Sequence, residues 1–280
     1  MTAKFKVAFA GLARDCAHAL PGILAHIEDI ASDLDDWGYV FFENNSVDTT
    51  LKLLGSFDAK HGRGLVASYG DLQSRISSRT ERLALLRNRC VDEILTSERM
   101  RHFDFLIMID LDAVNETIDK ARLLELMQTD DPRWDAVFAN QSDRYYDIWA
   151  LRHPTWSPDD CWKRVRERPP HMTKKEAEAE FVFKRQERVD PARGFIEVES
   201  AFGGLGMYRL DALDGCRYVG LAADGIEVCE HVAFHRDMRK NGSRLYVDAT
   251  LINGSGGQPH DSGMSRKTRL LRKLNKKLGR

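Results

Sequence analysis

The sequence has no run of about 20 consecutive apolar residues, the length that a membrane-spanning helix requires. It also has no Cys-x-x-Cys motif, and its five cysteines are odd in number and scattered. These absences argue against a disulfide framework or a zinc cluster and favour a reducing cytosol. The first residues run directly into a strand-like segment, without the apolar core and cleavage site of a signal peptide. We therefore expect a cytoplasmic protein.

The charged residues are unevenly distributed. Residues 265–280 contain eight Lys and Arg and no acid, whereas the residues before them contain 34 Lys and Arg and 43 Asp and Glu. An acidic body argues against a general nucleic-acid-binding protein. In the basic tail, leucines recur every three to four residues, a pattern that suits either a helix on an anionic membrane surface or a solvated terminus. A peripheral position at the inner face of a membrane is therefore one expectation.

Apolar runs alternate with amphipathic stretches through the first half, which predicts βαβ units and a mostly parallel sheet. There is no internal repeat and no low-complexity linker, so a single α/β domain is expected over residues 1–264. The most apolar run, residues 103–109, predicts a buried central strand. Further strands are predicted at 6–11, 38–42, 64–68, 135–139, 198–208, 228–235 and 245–252, helices at 20–34, 80–96 and 173–188, and a loop at 154–170.

Two acidic residues, Asp110 and Asp112, close the most apolar run. Open α/β sheets bind ligands at the carboxyl ends of their strands. Residues i and i+2 of an extended chain point to the same side, so both carboxylates can address one ligand. Such hard oxygen ligands suit Mg²⁺ or Mn²⁺ bridging a diphosphate. The structural alternative is a polar cap on the strand, since a bare Asp-x-Asp is common.

Three other classes of protein fit parts of this pattern. Haloacid-dehalogenase-type phosphatases carry a strand followed by Asp-x-Asp-x-[Thr/Val], which residues 110–114 match, but there the motif usually opens the domain. A sugar-1-phosphate nucleotidyltransferase would share the fold class and the metal, but its Gly-rich first loop is missing. A non-catalytic sugar-binding protein would keep the fold and need no metal.

The order of motifs over about residues 5–255 resembles that of the GT-A glycosyltransferases, which transfer a sugar from a nucleotide-sugar donor to an acceptor hydroxyl. In that fold the first strand ends in a nucleotide-binding loop, matched by residues 10–14, and the second in a polar turn, matched by residues 43–46. A helix bearing arginines precedes the acidic pair in both. The resemblance implies a GDP- or UDP-linked donor bound by Ala10, Arg14, Glu43, Asn45, Arg79, Arg87 and Asp110, with Asp110 and Asp112 as metal ligands.

Two segments of the second half look like the fungal capsule-associated α-1,3-mannosyltransferases and their bacterial relatives: residues 145–152 (YYDIWALR) and 199–208 (ESAFGGLGMY). That resemblance implies a GDP-mannose-like donor and retention of anomeric configuration. Aromatic faces suit the C–H side of a sugar, polar side chains suit its hydroxyls, and paired glycines allow close backbone approach. Core packing and a bulge are the structural alternatives. The predicted sugar- and acceptor-binding residues are Tyr146, Asp147, Trp149, Arg152, Gly203, Gly204 and His231.

A carboxylate late in the sequence, Glu230, is the predicted catalytic residue. An inverting transferase needs a base to deprotonate the acceptor hydroxyl, and a retaining one gains from an acidic group beside the sugar ring. Glu199 is the second candidate, and a salt bridge between Glu230 and an arginine is the structural alternative. His260, in a glycine-rich segment, is the predicted third metal ligand, with His235 as its alternative. The expected acceptor is a polysaccharide, glycan or lipid-linked sugar.

Overall fold

A computed structural model describes residues 5–130 and 132–254 of the chain. Strands and helices alternate through its first half, and the second half adds strands that pair mostly in the opposite direction or across long connections. The strands are β1 Lys6–Ala13, β2 Asp36–Glu43, β3 Gly64–Ser68, β4 Phe105–Asp110, β5 Thr117–Ile118, β6 Ala136–Gln141, β7 Phe195–Glu197, β8 Leu205–Arg209 and β9 Leu245–Gly254. The helices are α1 Leu20–Ala31, α2 Thr50–His61, α3 Arg79–Thr96, α4 Lys120–Met127, α5 Cys161–Arg166, α6 Lys174–Phe181 and α7 Glu230–Lys240.

All the described strands belong to one nine-stranded sheet with the order β3-β2-β1-β4-β8-β6-β9-β5, and β7 also pairs with β9. The strands β1, β2, β3, β4, β6 and β9 run in one direction, while β5, β7 and β8 run in the other. The predicted α/β fold with a mostly parallel sheet is therefore confirmed. Because β1, β2 and β4 are parallel neighbours, their carboxyl ends lie at one edge, where Leu12 pairs with Asp110.

Helices cover both faces of the sheet, and the central strand is buried on both sides as predicted. Phe105, Ile107 and Ile109 of β4 pack in the hydrophobic cluster that contains buried residues of α1, α2 and α4. Leu106 and Met108 point to the opposite cluster, with buried residues of α3, α5 and α7. A strand covered on both faces loses the polar alternation of a half-exposed strand, which is why its sequence is continuously apolar.

Several element predictions for the second half are wrong. Residues 228–235 were predicted as a strand, but most of them form the start of α7, whose buried residues His231, Phe234, His235 and Met238 follow a helical spacing that extends beyond the predicted segment. The predicted loop at 154–170 contains α5, and of the predicted strand at 198–208 only residues 205–208 belong to a named strand, β8. The helix α2 was not predicted, because its buried side chains are few.

Among the described residues, no helix combines the length and the apolar character needed to cross a bilayer. The predicted basic tail at 265–280 and the predicted metal ligand His260 lie outside the described residues.

Candidate active site

A cleft of ≈ 420 Å³ lies at the carboxyl ends of β1 and β4. This is the edge at which open α/β sheets bind ligands. Its floor includes the acidic pair Asp110 and Asp112, which the sequence predicted as metal ligands. One wall carries arginines from the loop after β1 and from α3, and the facing wall carries aromatic and acidic residues. The predicted residues that line it together are Arg14, Arg79, Arg87, Asp110, Asp112, Tyr146, Asp147, Trp149, Glu230 and His231.

Hydrogen bonds hold the backbone around the acidic pair. The backbone N–H of Asp110 donates to the carbonyl of Gly204 at 2.8 Å. The side chain of Asn115 donates to the carbonyls of both Asp110 and Gly204, each at 2.8 Å. The Asp112 carboxylate accepts from the N–H of Val114 at 3.1 Å, which caps a short 3₁₀ turn. The two carboxylates therefore start from a fixed loop, so little conformational entropy remains to be lost when a ligand binds.

The electrostatics of the cleft favour a cation beside Asp110. Desolvation raises the pKa of Asp110 to about 7; the guanidinium of Arg87 opposes that shift, and the charges of Asp112 and Asp147 add to it. Three carboxylates thus share one partly desolvated space and repel one another when all are ionised. A divalent ion among them would remove that repulsion.

The residues present fit a metal that is shared with a substrate. Among residues 5–130 and 132–254, no group of three His, Cys, Asp or Glu side chains forms a ready-made metal site. Mg²⁺ and similar hard cations commonly use one or two protein carboxylates and complete their shell with water and substrate phosphates. Asp110 and Asp112 supply that donor set, and the repulsion among the carboxylates of the cleft favours binding of a cation.

Arg87 joins the two walls of the cleft through a buried ion-pair network. One terminal nitrogen of its guanidinium donates to Asp110 Oδ1 at 3.1 Å, and the other contacts Glu230 Oε1. The guanidinium also lies 5.1 Å from the centre of the Phe202 ring. The side chains of Arg87 and Glu230 are each 5% exposed. The salt bridge that the sequence left open as an alternative for Glu230 is therefore present, with Arg87 as the partner.

The other arginines of the cleft differ in how firmly they are held. Arg82 donates to the backbone carbonyls of Ile76 at 2.6 Å and Ser77 at 2.8 Å, so it fixes the loop before α3. Arg79 is exposed at the first turn of α3, whose N-terminus already favours negative charge. Arg14 is exposed after β1 and lies 3.8 Å from Asp15. Together they present positive charge to any anion in the cleft.

Three residues predicted to hold the nucleotide do not line the cleft. Ala10 is buried within β1. Glu43 accepts from the N–H of Ser46 at 2.6 Å and from the hydroxyl of Ser68 at 2.5 Å. Asn45 has a φ of 58° and accepts from the N–H of Gln73 at 3.0 Å. Glu43 and Asn45 shape the turn after β2, and the neighbouring Asn44 lines the cleft instead.

Two residues predicted to contact the sugar, Gly203 and Gly204, lie behind the cleft surface, and Arg152 lines a neighbouring pocket instead. Gly203 and Gly204 have φ of 65° and 86°, and a Cβ on Gly203 would lie 2.5 Å from the carbonyl oxygen of Ala139. The space there is filled by the protein's own backbone, so glycine is required for packing. Arg152 donates to the carbonyls of Trp149 at 2.9 Å and Leu151 at 2.8 Å.

The wall opposite the arginines combines flat rings with polar groups. Asp147 accepts from the N–H groups of Ala150 and Gly203, each at 3.3 Å, while Trp149 Nε1 donates to an oxygen of Asp160 at 3.1 Å. The His231 ring stacks on Phe202 with centroids 4.0 Å apart. Burial, followed by the charge of Arg87, lowers the pKa of His231 well below its usual value, so the ring is neutral. Within the described chain, neither of its ring nitrogens has a hydrogen-bond partner.

Several residues of the cleft were not among the predicted site residues. Most of them lie within two residues of a predicted one along the chain, so the sequence indicated the right segments but not every side chain that lines the cleft. Phe202 is the clearest case, since it precedes the predicted glycines and carries the contacts to Arg87 and His231. The additional lining residues are Leu12, Ala13, Cys16, Asn44, Arg82, Leu83, Leu111, Val114, Phe202 and Cys229.

Known structures supply the fold assignment. No protein-family model matches the chain, and no curated protein sequence matches it. The chain is similar to a mannosyltransferase from Pyrobaculum calidifontis solved with GDP-Man and Mn²⁺, at 13% identity and a TM-score of 0.52 over 93% of this chain and 59% of that one. It is also similar to S. aureus TarS 1–349 solved with UDP, at 12% identity and a TM-score of 0.50 over 89% and 59%. The chain thus spans about three fifths of both structures.

At these identities the likeness concerns the fold alone, and the narrower resemblance to capsule-associated mannosyltransferases remains a prediction. The sheet order, the helices on both faces and these structural neighbours agree with one another. The chain has the GT-A fold.

Proposed function

We propose that this protein is a metal-dependent glycosyltransferase that moves a sugar from a nucleoside-diphosphate sugar to an acceptor hydroxyl. The observation that carries the proposal is the cleft at the carboxyl ends of β1 and β4, in which an acidic pair faces a wall of arginines. A diphosphate with a divalent ion needs both signs of charge at once, since the carboxylates bind the metal and the guanidinium groups bind the phosphate oxygens.

Each side of the cleft has a proposed role. Asp112, with Asp110, would hold Mn²⁺ or Mg²⁺, which when bound neutralises charge on the leaving nucleoside diphosphate. Arg14 and Arg79 would bind the donor phosphates, because both line the cleft and are exposed. The mannosyltransferase and TarS structures, with GDP-Man and UDP, support GDP- and UDP-linked sugars as the donors to test first.

The reacting sugar would lie against the opposite wall. Trp149 and Tyr146 line the cleft and offer flat faces, while Asp147 offers carboxylate oxygens to sugar hydroxyls. Glu230 keeps its proposed place beside the reacting centre, where it either accepts the acceptor's proton or holds Arg87 in position. These two roles make different demands: a base must reach the acceptor hydroxyl, whereas a partner of Arg87 only has to stay paired.

A thermal-shift screen of GDP- and UDP-sugars, with and without Mn²⁺, tests the proposal. A ligand at 100 times its Kd stabilises a protein by about 2.7 kcal/mol. For a chain of this size that corresponds to a rise in Tm of about 5–10 °C. We expect at least one donor to reach this shift, and to do so only when Mn²⁺ is present.

Asp112→Asn is the variant to compare, with Asp143→Asn as its matched control. Asparagine keeps an oxygen that can accept from Val114, so the loop should survive while the metal-ligand charge is lost. Asp143 is 76% exposed, pairs with Arg188 on the surface, and does not line the cleft. Loss of the metal-dependent shift in Asp112→Asn alone supports the proposal. No shift from any donor in the wild type, or phosphate release from simple phosphate esters, contradicts it.

A further inference from the structure

A second pocket, of ≈ 570 Å³, lies beside the cleft. One side is α5, another is the start of α7, and the third is a small hairpin at residues 219–228. In the hairpin Leu221 pairs with Glu227, and the N–H of Ala222 donates to the carbonyl of Ile226 at 2.9 Å. Gly225, with a φ of 79°, makes the turn. The pocket is therefore built from ordered elements, and its size is in the range of small-molecule sites.

Apolar side chains of the hairpin and of α7 form one part of this pocket. Val219 and Ile226 of the hairpin are 40% and 43% exposed, and they are two of only four large hydrophobic side chains exposed within the described residues. Leu221, Val228 and Val232 also line it. The two side chains lie on the same hairpin and extend the apolar part of the pocket to its exposed edge.

Charges at the rim have mixed sign, which decides against a phosphate group as the main ligand. The pocket is lined by four basic residues and three acidic ones: Arg152, Lys163, Arg166 and Arg236, and Asp160, Glu167 and Asp224. A site for a phosphate or a nucleic acid would present one sign of charge. The pocket instead suits a neutral apolar group of the size of an aromatic ring or a short alkyl chain.

The pocket is continuous with the active-site cleft. Cys229 lines both spaces, and the next residue along the chain is Glu230, which lines the cleft. Trp149 of the cleft donates to Asp160, which lines the pocket. The base of the hairpin is also held against the start of α3, because the hydroxyl of Thr80 donates to the carbonyl of Gly220 at 2.6 Å. The two spaces are therefore neighbours that share a lining residue at the start of α7.

We propose that the second pocket binds an apolar substituent of the acceptor, so that the preferred acceptor is a sugar bearing an aryl or alkyl group. The inference rests on the proposed glycosyltransferase function, since it places the acceptor on the α7 side of the cleft. Burial of the substituent on Val219 and Ile226 holds the acceptor while its free hydroxyl faces the donor. The acceptor's oxygen forms the new bond to the anomeric carbon, the bond to the nucleoside diphosphate breaks, and the hydroxyl proton passes to a base or to the leaving phosphate.

Binding of p-nitrophenyl glycosides and of the matching methyl glycosides, across common hexoses, tests the inference by saturation-transfer NMR. The variants are Val219→Asp and Ile226→Asp, which place a charge in the pocket at positions exposed enough to tolerate it. Leu51→Asp is the matched control, because Leu51 is 42% exposed and lies on α2, away from both spaces. We expect p-nitrophenyl glycosides to bind at least tenfold more tightly than methyl glycosides, about 1.4 kcal/mol, and both pocket variants to remove that advantage. Leu51→Asp should retain it.

Donor hydrolysis separates this inference from the proposed function. Release of nucleoside diphosphate from a nucleotide-sugar and Mn²⁺, without acceptor, depends on the cleft alone and should be equal in the wild type and in all three variants. If no donor is hydrolysed or bound, the proposed function fails. If a donor is used but no p-nitrophenyl glycoside binds better than its methyl counterpart, or the advantage survives in both pocket variants, the pocket assignment is wrong while the function stands.

Discussion

Replacing Arg87 with methionine removes the charge from the centre of the buried network while keeping much of the side-chain volume. Glu230, whose side chain is 5% exposed, then keeps its charge without a partner, and Asp110 loses its contact at 3.1 Å. Breaking a buried ion pair by removing one partner costs about 3–5 kcal/mol, mostly because the remaining charge stays desolvated. For a domain of this size, that loss lowers Tm by about 6–20 °C.

Urea unfolding at pH 7.5, followed by circular dichroism, measures this loss directly. Arg188→Met is the matched control, because Arg188 pairs with Asp143 at 2.7 Å with both side chains at least 75% exposed. Exposed pairs contribute only about 0–1 kcal/mol, so the control should differ little from the wild type. The double variant Arg87→Met/Glu230→Gln should lose less stability than the two single losses combined, since it leaves no unpaired charge at position 230.

Two results would refute this reasoning. If Arg87→Met lowers the free energy of unfolding no more than Arg188→Met does, the buried network does not contribute more to stability than an exposed ion pair. If the double variant shows simple additivity, Glu230 and Arg87 do not depend on each other, and Glu230 is free to act as a base. A large loss of turnover in Glu230→Gln with unchanged stability would also indicate that Glu230 acts as a base. A loss of both turnover and stability would identify Glu230 as a positioning residue for Arg87.

Three further expectations follow from other parts of the molecule. Gly203→Ala should lower the free energy of unfolding by at least about 2 kcal/mol more than Gly215→Ala in urea titrations, because both have positive φ but only the first meets a backbone oxygen, that of Ala139 at 2.5 Å. Burial lowers the pKa of His235 to about 3, so the unfolded chain takes up a proton below pH 6.5 that the folded chain refuses. Lowering the pH from 6.5 to 5 should therefore cost about 1.6 kcal/mol of stability through His235, and His235→Gln should reduce the pH dependence by that amount. Truncation after Met264 should abolish binding to anionic liposomes if the basic tail, which lies outside the described residues, contacts membranes; unchanged binding would exclude that role.

The elements that sequence analysis predicted well have a local signal. The strand β4 is buried on both faces, so its apolar run is uninterrupted, and the acidic pair that follows it is visible without any knowledge of its neighbours. The position of the cleft could be predicted because ligands of open α/β sheets bind at the carboxyl ends of the parallel strands. The arginines of α3 were predicted as part of the site because they precede that strand, and Arg79 and Arg87 both line the cleft.

The residues that sequence analysis misplaced depend on long-range contacts. Gly203 and Gly204 resemble a place for close ligand approach, but what approaches them is the carbonyl of Ala139 and the side chain of Val114. Asn45 was chosen over Asn44, although only the conformation of the turn decides which of two adjacent amides faces the cleft. The sequence around a glycine does not show whether the space beside it is filled by the protein's own backbone or by a ligand.

The helix α3 connects the two proposed halves of the site. Its side chains Arg79, Arg82 and Arg87 line the donor cleft, and its first turn holds the hairpin of the second pocket through Ser78 and Thr80. The 18-residue helix is capped at that same turn by the Ser78 hydroxyl, which accepts from the N–H of Glu81. A shift of α3 would therefore move both the arginines proposed to bind phosphate and the pocket proposed to bind the acceptor. If the proposed function holds, this shared support would keep the donor and acceptor sites at a fixed separation. Transfer between two bound molecules requires such a separation, because misplacement of the reacting atoms by about 1 Å can cost a hundredfold in rate.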